Sequence, residues 1–277
     1  MLARKELPEA YAQWNASLGA PFGYFSSKVR LSNRLLTRCK NIMPFGARLH
    51  LFGPFSVQPN TTNRIFEYPW AFNVRPIWKG MRVIEIGGGL SGFQFALSKM
   101  GCDVVNIDPG MEAAGLGWPC DAKTIARMNR AFGTSVTLRN TTIEDANLSS
   151  DSFDRAFSIS VLEHMPDGDI ENVMVQLYRV LKPGGELILT VDLFLDIVPF
   201  SSARANHYGR NIDLHWLTGL APFERAEGTA EELYGFPEFD RLQVIQMSNQ
   251  FQRGTYPVLV QCLILRKPSS DSATIST

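Results

Sequence analysis

No acidic residue stands between Glu9 and Glu67, and the chain as a whole has no net charge, with 27 Lys+Arg against 27 Asp+Glu. That balance lacks the broad electrostatic footprint of a nucleic-acid-binding protein. Cysteine is scarce. Cys39, Cys102, Cys120 and Cys262 share no paired spacing, which argues against a zinc site or a disulfide framework and fits a reducing compartment. Long hydrophobic runs are missing as well. The most apolar stretch, 187–200, is broken by Asp192 and Asp196 and falls short of the ~20 residues of a membrane helix. No apolar run follows Met-Leu-Ala-Arg-Lys-Glu, so no secretory signal is read and a cytoplasmic location is expected. Internal repeats are absent.

What is present is a full-sized globular chain of 277 residues, 45% hydrophobic and 19% charged, long enough to bury a large core. Residues 83–92, Val-Ile-Glu-Ile-Gly-Gly-Gly-Leu-Ser-Gly, are its most informative stretch. An apolar run ends in an acid and a glycine cluster, and a helical pattern follows through Phe93, Phe95, Ala96, Leu97 and Met100. This predicts strand, tight turn and helix. Glycines in the turn allow positive φ and close approach of a ligand to the backbone. The G-x-G-x-x-G in Gly87–Gly92 also suits a dinucleotide, and by itself it is equally a packing turn. A second strand, Asp103–Ile107, ends in Asp108, about twenty residues past the glycines, where a carboxylate can accept from both ribose hydroxyls of a nucleoside. A third strand, Val136–Leu138, leads to Thr141-Thr-Ile-Glu-Asp145. Ser152–Met165 reads as a strand running into a loop, and a helix through Ile170, Val173, Leu177, Val180 and Leu181 follows. Leu181-Lys-Pro-Gly-Gly185 then turns into a buried strand.

The order "EIGGG … NID … IEDANLSSDSFD … SISVLEHM … LKPGGELILT" resembles the class I S-adenosylmethionine-dependent methyltransferases, in particular the methyltransferase-11-like group, over about residues 80–192. No single piece is specific; five in order at this spacing are. The resemblance implies an α/β fold, a doubly wound, seven-stranded, mostly parallel Rossmann-like sheet with an N-terminal helical extension. Residues 1–75 form the extension or cap, 76–267 the methyltransferase domain, and 268–277 a disordered tail. Within 193–267, Asp213–Leu220 reads as a short helix. Leu242–Met247 and Val258–Leu265 read as the two strands of the closing hairpin.

The resemblance also assigns S-adenosylmethionine as cofactor and places its contacts. Gly87 and Gly89 line the turn beside the methionine moiety, and Glu85 interacts with the methionine ammonium. Asp108 takes the ribose hydroxyls and Pro109 flanks the adenine. Thr142 stands where relatives usually carry an aspartate for the adenine amino group, a departure that Glu144 could make good. Ile143 offers its backbone amide to the ring, and Ser160 sits near the methionine end. The aromatic segment 64–78 is a packing segment beside the sheet, with Tyr68 and Trp70 candidates to close the cofactor pocket.

Methyl transfer from a sulfonium needs alignment above all, and a hydroxyl acceptor also needs a base. His207, in the irregular segment after the fifth strand, is the first candidate. His164 follows and His215 is third. No metal-ligand set is read. Lys28–Met43 predicts a basic amphipathic helix with Arg30, Arg34 and Arg38 as a stripe, either a solvated face or an anion site. The expected acceptor is a small molecule, glycosylated or anionic, in a pocket between 1–75 and 193–220. The alternatives are an RNA or protein methyltransferase, and a non-catalytic scaffold that binds S-adenosylmethionine. The oligomeric state is not legible.

Overall fold

The computed structural model describes residues 1–25, 42–110, 120–197, 200–254 and 256–269. Before the first strand lie helices α1 (Glu9–Leu18), α2 (Phe45–Phe52) and α3 (Arg64–Asn73). The alternating part then runs β1 (Arg82–Ile86), α4 (Gly92–Lys99), β2 (Asp103–Ile107), α5 (Ala122–Phe132) and β3 (Thr137–Arg139). It continues with β4 (Phe153–Ile159), α6 (Asp167–Val180) and β5 (Leu181–Phe194). Helix α7 (Leu214–Gly219), strand β6 (Glu224–Glu227), helix α8 (Arg241–Gln246) and strand β7 (Val258–Arg266) complete it.

The described strands make one sheet in the order β3-β2-β1-β4-β5-β7-β6. The first five pair in parallel, and β7 is antiparallel to both neighbours. Strands β1, β4 and β7 are buried along nearly their whole length, as strands covered on both faces are, although Glu85 in β1, Arg155 and Ser158 in β4 and Gln261 in β7 interrupt their apolar residues. Strand order reverses on the two sides of β1: the chain steps to β2 on one side and returns to β4 on the other. Open α/β sheets bind ligands at the carboxyl ends of the strands beside such a reversal.

Local chemistry sets the helix boundaries. Asp121 caps α5 by accepting from the Thr124 amide at 2.8 Å, and Gly133 ends the helix in the left-handed region. Asp213 caps α7 in the same way through Trp216. The predicted helix over 213–220 is therefore found, one residue in from each end.

One expected strand is replaced by a helix. Residues 242–247 fall in helix α8 and the turn after it, and β6 at 224–227 is the strand paired with β7. The Asp240 side chain accepts from the Gln243 amide at 2.9 Å, an N-cap that starts a helix. The apolar residues that suggested a strand stay outside: Leu242 and Ile245 are exposed and only Val244 is buried. Strand β6, Glu-Arg-Ala-Glu, has the charged composition of a protected sheet edge and gives no apolar signal.

The predicted basic helix falls mainly in 26–41, so Arg30, Arg34 and Arg38 lie outside the described residues. Most of the C-terminal tail does too. The rest of the N-terminal region packs tightly. Trp14, Leu49, Phe55, Phe66 and Trp70 share a core with Val83, Val104, Phe157 and Ile188 of the sheet. The opposite face is filled by Ile170, Met174 and Leu177 of α6 with Ile84, Ala156 and Leu187.

Candidate functional site

The glycine turn is a rigid cradle. Gly87 and Gly89 have φ of 66° and 53°, where a side chain would be strained. A Cβ on Gly88 would lie 2.8 Å from the Glu85 carboxyl carbon, and one on Gly89 would lie 2.6 Å from Oε1 of Gln58. The turn is held from below by Asn106, whose Oδ1 accepts from the Gly88 amide at 3.2 Å and whose Nδ2 donates to the Gly89 carbonyl at 3.0 Å. Gln94 donates to the same carbonyl at 3.0 Å, and the Cys120 thiol lies 3.2 Å from it. Burial pushes that thiol up to about 12, keeping it protonated. From above, Gln58 accepts from the Leu90 amide at 2.6 Å.

Two acids end the adjacent strands. Glu85 is buried; its Oε1 accepts from the Ser91 hydroxyl at 3.3 Å and its Oε2 has no hydrogen-bond partner among the described residues. Burial raises its pKa to about 8, with Asp108 adding to the rise and Ser91 and Arg64 opposing it. Asp108 accepts from the Gly89 amide at 2.6 Å and from the Gly110 amide at 2.7 Å. Burial raises its pKa too, against those two hydrogen bonds. Beyond β3 the segment is more open. Ile143 is buried, whereas Thr142 and Glu144 are exposed or nearly so, and the Thr142 hydroxyl donates to Asp145 at 3.1 Å. Pro109 is half-buried beside Asp108. Tyr68 is buried in the core, stacked on Phe93 at 5.7 Å, with its hydroxyl donating to Asn60 at 3.1 Å. Trp70 is buried as well.

A second cluster gathers around the C-terminal half of β5 and the turn past β4, and only Ser160 of it is foreseen by the sequence. Ser160, at φ 46°, and Thr190 both donate to Oε1 of Glu67, Thr190 at 2.7 Å. Arg64 pairs with Oε2 of Glu67 at 2.6 Å. Burial works against the Arg64 charge, but Glu67 and its neighbours outweigh it and hold the guanidinium firmly protonated. Next to this pair, Oε1 of Glu163 accepts from the Asp192 amide at 3.2 Å and Oε2 has no partner among the described residues. Asp192 accepts from the Tyr256 hydroxyl at 3.1 Å and lies 3.5 Å from Nδ2 of Asn63. Burial raises Glu163 to about 7 and pushes Asp192 well above the usual carboxylate range, with Glu163 and Glu67 adding to the second shift. These residues come from α3, the turn after β4, β5 and the segment before β7, so no local spacing announces them. The one sequence cue is the Arg64/Glu67/Tyr68 spacing along α3.

Of the histidines, His164 ends a short 3-10 turn, Leu162–His164, beside this cluster. The residue is exposed. Desolvation by the protein around it lowers its pKa, and Asp192 pulls the other way. His207 is exposed, its ring edge-on to Tyr208 at 5.2 Å. Tyr208 stacks on Tyr256 at 4.0 Å, which joins the loop to Asp192. His215 packs edge-on against Phe236 at 5.3 Å.

Residues 84–189 match the family model described as a methyltransferase domain. A ubiquinone biosynthesis O-methyltransferase of Rhizobium etli is 32% identical over 145 residues, 52% of each chain. Another of that name, from Hahella chejuensis, is 33% identical over 113 residues, 40% of this chain and 43% of the other. The chain thus spans about half the length of the curated relatives it matches. Among solved structures, a [4+2]-cyclase, SpnF, covers 73% of this chain and 81% of its own at 16% identity, with a TM-score of 0.52. That likeness concerns the fold alone.

Proposed function

We propose that residues 84–189, which match a methyltransferase domain, form a class I methyltransferase core, and that this protein transfers a methyl group from S-adenosylmethionine to a small-molecule acceptor. One observation carries the reading. A glycine cradle, a buried acid with a free oxygen and a second acid at the end of β2 converge where strand order reverses. The residues fit the cofactor. Each Asp108 oxygen holds one backbone amide and has lone-pair capacity for a ribose hydroxyl. The unpartnered Glu85 oxygen suits the methionine ammonium. Pro109, Thr142, Ile143 and Glu144 flank the adenine end, and Ser160 the methionine end. When bound, the cofactor supplies an activated methyl on a sulfonium.

The protein's own work is alignment and proton removal. The matched relatives carry the name O-methyltransferase, and we assign this chain a hydroxyl acceptor. His207 and His164 are the candidate bases. The lowered pKa of His164 leaves its imidazole free to take a proton near neutrality. A glycosylated acceptor fits this reading. An anionic group would have to stay clear of Glu67, Glu163 and Asp192. The test is calorimetry with S-adenosylmethionine and S-adenosylhomocysteine, followed by an acceptor screen that reads release of S-adenosylhomocysteine. Micromolar binding is expected; no binding of either nucleoside by the folded protein would end the proposal.

A further inference from the structure

The surroundings of Asp192 are short of hydrogen-bond donors and of positive charge. Asp192, Glu163 and Asn63 are each almost completely buried. Two oxygens there, Oε2 of Glu163 and Oδ1 of Asn63, have no hydrogen-bond partner among the described residues. The Asn63 oxygen is an acceptor, and so is the Glu163 oxygen once that acid is ionised, so the partner that satisfies both is a donor. Buried acceptors left unpaired are costly, and a native site resolves them with a ligand or a water.

Charge points the same way. The groups facing the cluster are Glu67, Arg64, His164 and Tyr256. Arg64 is committed to Glu67 at 2.6 Å, and Tyr256 already donates its hydroxyl proton to Asp192. His164 also faces Asp192, but desolvation works against its charge, so in the ligand-free protein burial holds Glu163 and Asp192 toward their protonated forms, and a bound cation would let them ionise. A hydroxyl would supply a donor and no charge. A carboxylate or phosphate would hold both acids protonated and bring no donor. An ammonium supplies donors and the compensating charge together. Exposed Tyr208 stacks on Tyr256 at 4.0 Å, so the Tyr256 side of the cluster borders the surface.

We propose that Asp192, Glu163 and Asn63 bind a protonated amine carried by the methyl acceptor. The amine is a recognition handle, separate from the atom that is methylated. This rests on the methyltransferase reading for the word acceptor and on the cluster alone for the amine.

The test uses the full chain and three probes that share one ring: tyramine, tyrosol and 4-hydroxyphenylacetate. They end in an ammonium, a hydroxyl and a carboxylate. Calorimetry is run with and without saturating S-adenosylhomocysteine. Tyramine is expected to bind about tenfold or more tighter than tyrosol, the scale of a charge-assisted hydrogen bond, with the carboxylate weakest. Asp192→Asn should erase that lead and leave S-adenosylhomocysteine affinity unchanged. If that variant does not fold, Glu163→Gln should at least halve the lead. A wild-type protein with no preference for tyramine, by equal binding or by none, overturns the proposal, as does a lead that survives both substitutions. Failure to bind S-adenosylhomocysteine would sink the methyltransferase reading and leave the probe comparison standing.

Discussion

Asp108 holds the Gly89 and Gly110 amides, so its carboxylate both shapes the cradle and faces the proposed ribose position. Asp108→Ala should weaken S-adenosylmethionine by at least about tenfold, since a hydrogen bond to a charged group is worth about 1.5–3 kcal/mol. Unchanged affinity in a folded variant would defeat the assignment. Glu85 gives a pH signature. Its folded pKa, about 8, lies above the ordinary value of 4.5, so the folded state binds more protons across that window. Stability from this group is fully present below pH 4.5 and is lost as pH rises through 8. Glu163 contributes with the same sign up to about 7. The melting temperature of the ligand-free protein should therefore fall between about pH 5.5 and 8. Glu85→Gln should flatten part of that slope; an unchanged slope would show that Glu85 is not held protonated. For the bases, His207→Gln should lower turnover about a hundredfold with cofactor binding intact, if the acceptor is a hydroxyl. Full activity there moves the role to His164, and full activity in both variants points to an acceptor that needs no base from this pair.

At the scale of elements, much of the parallel half of the sheet is legible in the sequence because β1, β2 and β5 have apolar centres that meet turn signals: Gly87–Gly89, Asp108-Pro109 and Gly184-Gly185. The antiparallel end is half legible. Strand β7 is apolar but for Gln261 and the terminal Arg266, whereas β6 is a charged edge, and α8 hides its helical nature in an aspartate cap. The site divides along the same line. Glu85, Asp108 and Ser160 sit at strand ends fixed by motif spacing. Arg64, Glu163, Asp192 and Tyr256 meet only because α3, β4, β5 and β7 converge, which no window of sequence contains. The stripe Arg30, Arg34, Arg38 stays a sequence-level proposal for acceptor or surface binding. Changing all three to Gln should leave S-adenosylmethionine affinity nearly intact in calorimetry. A collapse of that affinity with the fold preserved would place the segment at the cofactor instead.

For the whole molecule, the N-terminal region decides whether the sheet can stand alone. Trp14 meets Phe55 edge-on at 5.7 Å and Phe72 at 5.1 Å, and Phe55 in turn tilts against Tyr68 at 5.3 Å. Tyr68 stacks on Phe93 of α4, and Phe93 meets Phe157 of β4 at 5.1 Å. This chain of rings runs from the first helix to the centre of the sheet without a polar break. Truncating one such buried aromatic costs about 3–5 kcal/mol, and a domain is stable by only about 5–15 kcal/mol. Loss of Trp14, Leu49, Phe52 and Phe55 together would exceed that margin and would uncover the apolar side of α4. A chain beginning at residue 61 is therefore expected to aggregate or to show no cooperative melt, with or without S-adenosylhomocysteine. The matched pair Trp14→Ala and Phe55→Ala, each in the full chain, should lower the melting temperature separately. Because both touch one ring cluster, their effects should not add. If the chain shortened to start at residue 61 melts cooperatively near the temperature of the full chain, the first sixty residues are a detachable cap, with the catalytic sheet complete behind it.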